Sequence, residues 1–351
     1  MVLATLVVLV AQSTPALPLP WPPRSAQDSQ VVAFVDVNVI PMDRDGVLEH
    51  QTVVVRDGRI AQLGPVAQIR VPAGATSVDG RGKYLIPGLG EMHGHLPNPN
   101  AGAELTENVL FLYVAHGVTT VRGMQGTPAH LELKGRIARG ELLGPRLWVP
   151  GPPLSGNSAP TPDAGRRLVE QQRAAGFDHL KIHEGLTRET YDTIVATAQR
   201  LGLRFAGHVP NAVGVYRALA AGQASIDHLD NYVETVGGPD STDDAEIGRV
   251  VAATCAAGVW TVPTLALWET FLTGDSAALA GLAELRYVPA AWRMNWARQL
   301  ANIRVNNAGT PGPAIVALRG RILLALQRAG CPIAFGTDSP QLYSVPGFST
   351  H

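Results

Sequence analysis

From Tyr84 onward, short apolar runs alternate with amphipathic stretches. The apolar runs, at 84–95, 117–124, 145–150, 178–183, 203–209, 224–228, 258–264 and 331–337, have the length and Val/Ile content of buried strands and predict eight of them. Stretches with helical spacing lie between, at 105–116, 165–175, 188–201, 213–221 and 244–257. Strand and helix in strict alternation point to a parallel sheet. Eight such units in one run predict an α/β fold of the closed (β/α)8, or TIM-type, barrel class. The segment 276–330, with Trp292, Trp296 and several arginines, is too long for one connection and predicts a helical insertion over the barrel mouth. Its tryptophans read as packing, with a substrate lid as the alternative.

Upstream the pattern differs. Short Val- and Ile-rich strands at 31–41 and 52–63, with Asp57-Gly58 between two of them as a two-residue hairpin signal, predict a small antiparallel β-domain over 31–83. Three domains follow: a Pro/Ser-rich leader and linker over 1–30, the β-domain over 31–83, and the barrel over 84–351.

Candidate chemistry sits where the barrel strands end. His93 and His95 close the first run, Lys181 lies in the fourth, and His208, His228 and Asp338 end or follow the fifth, sixth and eighth. Residues i and i+2 of a strand face the same side, so both imidazoles of His93-Gly94-His95 can reach one cation. An H-x-H pair alone is a weak signal, since core and surface histidines also pair by chance. The placement of the others at the C-terminal ends of strands, where barrel enzymes carry their chemistry, is what gives it weight.

The stretches 84–95, Gly117-Val118-Thr119-Thr120-Val121-Arg122 and Gly336-Thr337-Asp338 resemble, in order, the first, second and last barrel strands of the amidohydrolase superfamily, in the branch of imidazolonepropionase-like and prolidase-like hydrolases. The resemblance spans most of the chain. It implies a metal-dependent barrel beside a composite β-sandwich, and cleavage of a C–N amide bond, as in a dipeptide or N-acyl amino acid, by a metal-bridging hydroxide. Carried over by position, His93, His95 and Asp338 would hold one zinc ion and His208 and His228 a second. Lys181 would bridge the two as a carbamate, because an ammonium cannot ligate a cation. Lysine is scarce here, with only Lys83, Lys134 and Lys181, so one inside an apolar strand is conspicuous; a buried salt-bridged lysine is the bland alternative. Asp338 is the expected proton shuttle. His208 or His228 would steady the oxyanion, with nothing to rank them. His183 shares the face of Lys181 nearer the mouth and is a candidate substrate contact. Arg122, Tyr232 and Asn231 are weaker ones, and His179 reads rather as a packed barrel histidine.

Relatives in that superfamily continue beyond the last metal-binding strand with a closing helix and further sandwich strands, whereas this chain ends at His351. The expectation is an incomplete sandwich and an exposed apolar flank, relieved by a partner chain or accompanied by low stability.

Composition sets bounds. The chain has 351 residues, a formal charge of −1 and 46% hydrophobic residues, enough to build a large core, and no basic patch to suggest nucleic acid. The expected partner is a small or dipeptide-like substrate, with a homo-oligomer left open. Cys255 and Cys331 lie in apolar settings far apart and are expected to be free buried thiols. The apolar run 2–11 has the length of a signal-peptide core but no preceding Lys or Arg, and is too short to span a bilayer. Export to a periplasmic or extracellular space is expected if it acts as a signal, and a cytoplasmic location otherwise. Three readings stay open: a binuclear amide hydrolase; a mononuclear cyclic amidohydrolase or deaminase, which would have no use for a bridging lysine; and an inactive, truncated barrel that binds without turnover.

Overall fold

The computed structural model describes residues 31–350. The leader and linker expected over 1–30, with its signal-like run, therefore lie outside the described residues. Strands β1 (Val31–Val39), β2 (Leu48–Arg56), β3 (Arg59–Pro65), β4 (Thr76–Asp79) and β5 (Tyr84–Leu85) form one sheet in the order β3-β2-β1-β4, with β5 also paired to β1. The β2–β3 hairpin turns at Asp57-Gly58, both at positive φ (50° and 74°), as the sequence predicts. The sheet as a whole is mixed rather than antiparallel, because β4 and β5 each run parallel to β1. β4 lies along the first half of β1 and β5 along its end, joined by the short connection 80–83. A second sandwich layer is not among the described residues.

The rest of the chain alternates. It runs β6 (Leu89–Gly94), α1 (Ala103–Ala115), β7 (Val118–Gly123), α2 (Pro128–Ala138), β8 (Arg146–Trp148), α3 (Pro162–Ala175), β9 (His179–Ile182), α4 (Arg188–Arg200), β10 (Arg204–Gly207), α5 (Val215–Ala220) and β11 (Ser225–Asp227). Then follow α6 (Tyr232–Thr235), α7 (Asp244–Ala257), β12 (Trp260–Val262), α8 (Leu265–Leu272), α9 (Ser276–Ala280), α10 (Ala290–Asn306) and α11 (Gly312–Arg328). All pairings among β6–β12 are parallel, in two sheets ordered β6-β7-β8 and β9-β10-β11-β12. Lone bridges Pro150↔His179 and Leu154↔Ile182 connect the first sheet to the second.

The eighth predicted strand, 331–337, is not a regular strand. It is an extended segment bridged to β12 at Thr261↔Ile333, with Phe335 O accepting from Met92 N (3.0 Å) and Ser339 O from His95 N (2.7 Å) on the side of β6. Pro332 lacks a donor, and a Cβ on Gly336 would fall 2.5 Å from Val262 Cγ1 and 3.0 Å from the Cβ of His93, so close approach takes the place of a ladder here.

Helices form where apolar residues recur at helical spacing and a cap is present. In α4 Tyr191, Ile194, Val195 and Ala198 are buried, and Thr187 caps the start by accepting from Thr190 N. In α7 Ile247, Val250, Val251 and Thr254 face inward between an Asp243 cap and Gly258 at φ 63°. These faces pack in successive clusters against the strands, the largest joining α5, α6, α7 and α11. The last of these corrects the extent of the insertion. Leu318, Ile322 and Leu326 of α11 belong to the cluster of α7, so only the stretch through α10 stands apart, burying Trp296 and Leu300 against Leu342, Tyr343 and Val345.

Cys255 and Cys331 form a disulfide, contrary to the expectation of free thiols. Packing of α7 against α11 brings the end of the one beside the residues after the other, at a Cα separation of 4.7 Å. A sequence separation of 76 residues hides that proximity.

Candidate metal centre

β6 and the residue after it place Glu91, His93 and His95 on one face by the two-residue period of a strand. Glu91 and His93 are fully buried, and His95 reaches the mouth with about a quarter of its side chain exposed. Lys181 comes from β9, whose four residues are all buried. Gly207 at the end of β10 makes room for it: a Cβ there would sit 2.9 Å from Lys181 Cδ and 2.5 Å from Ile182 O, at a φ of 121°. His228 and Asp338 both adopt left-handed backbone (φ 62° and 63°), which turns their side chains inward at the point where a strand would otherwise continue.

All six sequence-predicted ligand positions come together. His95 Nε2 lies 2.8 Å and His93 Nε2 3.6 Å from Asp338 Oδ1, and Lys181 Nζ is 3.2 Å from His93 Nε2. The His228 ring centroid is 4.4 Å from that of His93 and 4.7 Å from that of His208. His93, His95 and Asp338 have their ligand atoms close enough to share one ion. Glu184, His208 and Asp230 form a second such group at the mouth.

Each imidazole is fixed from behind by a residue that the sequence reading missed. Asp227 Oδ2 lies 2.7 Å from His93 Nδ1, Gln125 Oε1 3.0 Å from His95 Nδ1, Asp230 Oδ2 2.8 Å from His208 Nδ1, and Thr264 Oγ1 2.7 Å from His228 Nδ1. The Nε2 atoms of His93 and His95 are thereby left to face Asp338, the arrangement that metal-binding histidines use. A signal was present, since Asp227 and Asp230 flank His228 in Asp227-His228-Leu229-Asp230. Glu91, two residues before His93, accepts from the backbone N–H of His93 (2.8 Å) and Thr337 (3.0 Å) and from Thr337 Oγ1 (2.5 Å), tying β6 to the segment carrying Asp338. Burial pushes its carboxyl up to about 7.

The donor set fits divalent metal. Asp338 Oδ1 is buried without a hydrogen bond of acceptable geometry, although His95 Nε2 is close. Two lone-pair atoms held face to face is a costly arrangement that a cation relieves. Burial raises the Asp338 carboxyl, but the rings of His93, His95 and His228 and the contact with His95 outweigh it and keep it below its ordinary range. Burial lowers His93, His208 and His228, favouring the neutral, ligating imidazole. Burial also brings the Lys181 amine down to about 8, and no carboxylate pairs with it within 4 Å among the described residues.

The expected substrate contacts fare differently. His183 lies at the mouth, its ring centroid 4.4 Å from that of His208 and tilted by 50° to it, its Nδ1 accepting from Glu184 N. Arg122 does not reach the mouth. It donates through Nη2 to both oxygens of Asp227 (3.2 and 3.1 Å), through Nη1 to Ser225 Oγ and through Nε to Met92 O, so the carboxylate it grips is the protein's own. Tyr232 is fully buried in the α6–α7 core with its hydroxyl 2.8 Å from Thr254 Oγ1, and its aromatic bulk serves packing. Asn231 donates to Val209 O and Asn211 Oδ1, bracing the loop after β11. His179 is buried with Nε2 3.1 Å from Gly123 O.

Comparison with solved structures bears on the fold. The chain superposes on bottromycin amidohydrolase with a TM-score of 0.68 at 24% identity, covering 92% of this chain and 72% of that one. It matches a presumed prolidase from Bifidobacterium longum with a TM-score of 0.68 at 25% identity, covering 92% and 76%. The chain carries the amidohydrolase-superfamily fold. A. niger ochratoxinase shares the fold at a TM-score of 0.64 and 18% identity, over 92% of this chain and 77% of that one. Among curated proteins, a dihydroorotase from Trichlorobacter lovleyi is 35% identical over 92 residues, 25% of this chain and 21% of that protein. An adenine deaminase from Paracoccus denitrificans is 29% identical over 199 residues, 52% of this chain and 33% of that protein. The matched stretches thus span a third or less of these curated relatives. No protein-family model matches the chain.

Proposed function

We propose that the protein is a metal-dependent hydrolase of carbon–nitrogen amide bonds, working at the C-terminal mouth of a closed eight-stranded barrel. One observation carries the reading: a buried, unsatisfied Asp338 oxygen faces two imidazoles and sits within a cluster that also holds His208, His228 and an unpaired Lys181. Closure is supported by the hydrogen bonds that place 331–339 between β12 and β6. The region from β6 onward acts as the catalytic domain, and the sheet of β1–β5, over 31–85, as its companion.

His93, His95 and Asp338 would hold one zinc ion, and His208 and His228 another. Lys181 would bridge them after its neutral amine bonds the carbon of carbon dioxide and releases a proton to solvent, giving an anionic oxygen ligand. Such ions, when bound, supply a nucleophile from water at neutral pH and polarise the scissile carbonyl. Asp338 is the group that takes a proton at the mouth and hands it to the departing amine. Asp227, Asp230, Gln125 and Thr264 hold the ring orientations, and Arg122 keeps Asp227 ionised beneath His93.

A mononuclear cyclic amidohydrolase or deaminase is the second reading, supported by the local likeness to dihydroorotase and adenine deaminase. The Cys255–Cys331 disulfide supports an oxidising compartment. Among the described residues no helix is long and apolar enough to cross a membrane.

The test is hydrolysis by chelated and zinc-reloaded protein over a panel of peptide and acyl amides, with bicarbonate present. Amide cleavage that is lost with the metal and returns with it supports the reading. A folded, zinc-loaded chain that cleaves none of them contradicts it.

A further inference from the structure

Two cavities open at the mouth. One, of about 400 Å³, lies between His95 and α10, and the other, of about 640 Å³, beside His183. The first is lined by carboxamides, among them Asn98, Gln125, Asn295, Gln299 and Gln341, together with the indole of Trp292. Among the described residues neither cavity is lined by a lysine or an arginine, and the one carboxylate on either wall is Glu184.

Lys181 aside, Arg122 and Arg319 are committed elsewhere. Arg122 is held by Asp227, Ser225 and Met92 O. Arg319, buried, donates to His228 O and stacks on Trp268 at 3.7 Å. Two histidines on these walls already use ring nitrogens on the backbone. His130 Nδ1 accepts from Thr127 N and its Nε2 reaches Pro97 O, and His183 Nδ1 accepts from Glu184 N.

Out of reach of the metal ions, a carboxylate taken out of water into a half-enclosed pocket is best offset by a guanidinium or ammonium. Here it would meet neutral amides on one side and Glu184 on the other. Carboxamides and an indole suit a neutral, hydrogen-bonding, planar group instead.

We infer that the substrate is an amide carrying no free carboxylate near the scissile bond, such as a carboxamide-capped or cyclic peptide, which occupies the carboxamide and indole cavity under α10. This inference rests on the proposed amide hydrolysis and narrows it, setting aside free dipeptides and N-acyl amino acids. Gln299, exposed on α10, is a specificity-determining position.

The experiment pairs each free-acid dipeptide with its C-terminal carboxamide on the zinc-loaded full chain, measuring kcat/KM for hydrolysis and Kd from quenching of tryptophan fluorescence. The expected result is carboxamide preferred by at least about tenfold in both, the scale of one lost charge-assisted contact. Gln299→Arg, which adds a cation at an exposed helix position, should move the ratio toward the acid by a similar factor. Equal or tighter binding of the acids, or binding of neither ligand, overturns the inference. Selective binding of the carboxamide without hydrolysis of either upholds the subsite and counts against the hydrolase reading, so the two fail separately.

Discussion

His95 Nε2 and Asp338 Oδ1 stand 2.8 Å apart, brought together from the residue after β6 and the segment after α11, yet the carboxylate oxygen has no hydrogen bond of acceptable geometry. A pair so placed is poised to share a ligand rather than to satisfy itself. Asp338→Asn keeps the size of the side chain but removes the proton acceptor. It is expected to lower kcat by about a thousandfold or more while part of the metal stays bound. Near-normal turnover in this variant, measured alongside its zinc content, would end the proton-shuttle assignment.

Among the described residues Lys181 has no carboxylate partner within 4 Å, and burial lowers its amine to about 8, which raises the neutral fraction that can be carbamylated. Lys181→Ala should lose at least one metal ion and most activity, with partial recovery on adding a short carboxylic acid that fills the vacated space. Carbon-13 NMR of wild-type protein in labelled bicarbonate should show a carbamate signal that the variant lacks.

The disulfide closes a long loop between α7 and the segment after α11. Loop-closure entropy for such a length gives about 4 kcal/mol as the ideal contribution, and measured values commonly run from about 2 kcal/mol. Cys255→Ser with Cys331→Ser should therefore lower the denaturation midpoint, and reductant should do the same to the wild type and nothing to the double variant.

His179 gives a pH dependence of stability. Burial lowers its imidazole to about 4 from an unfolded value near 6.5. Between those values the unfolded chain binds the proton and the folded one does not, so folding stability present above about pH 6.5 is lost as pH falls toward 4. The largest effect from this group is about 3 kcal/mol. Chemical denaturation at pH 7.5 and 4.5 should show a smaller drop in His179→Gln, which keeps a donor for Gly123 O.

Much of the alternating α/β region was legible because strands and helices announce themselves by period, and because metal-binding chemistry collects at strand ends. His93, His95, Lys181, His208, His228 and Asp338 were found that way, and they converge. What escaped depends on neighbours distant in sequence. Arg122 looked suited to a substrate carboxylate because its geometry suits any carboxylate, and Asp227 is the one folding supplies. Tyr232 looked polar enough for a site, but Thr254 satisfies its hydroxyl inside the core. The parallel pairing of β4 and β5 with β1, and the disulfide, are set by long-range packing that local pattern does not encode. The eighth segment read as a strand by composition, while Pro332 and the crowding at Gly336 keep it irregular.

A binuclear metal centre bridged by Lys181 shows itself most directly in the metal content per chain. Elemental analysis of protein purified without chelator, in bicarbonate, should give about two zinc ions per folded wild-type chain and one or fewer in Lys181→Ala. A folded wild-type chain that holds no zinc and takes up none, or one whose zinc content is unchanged by Lys181→Ala, would contradict the account.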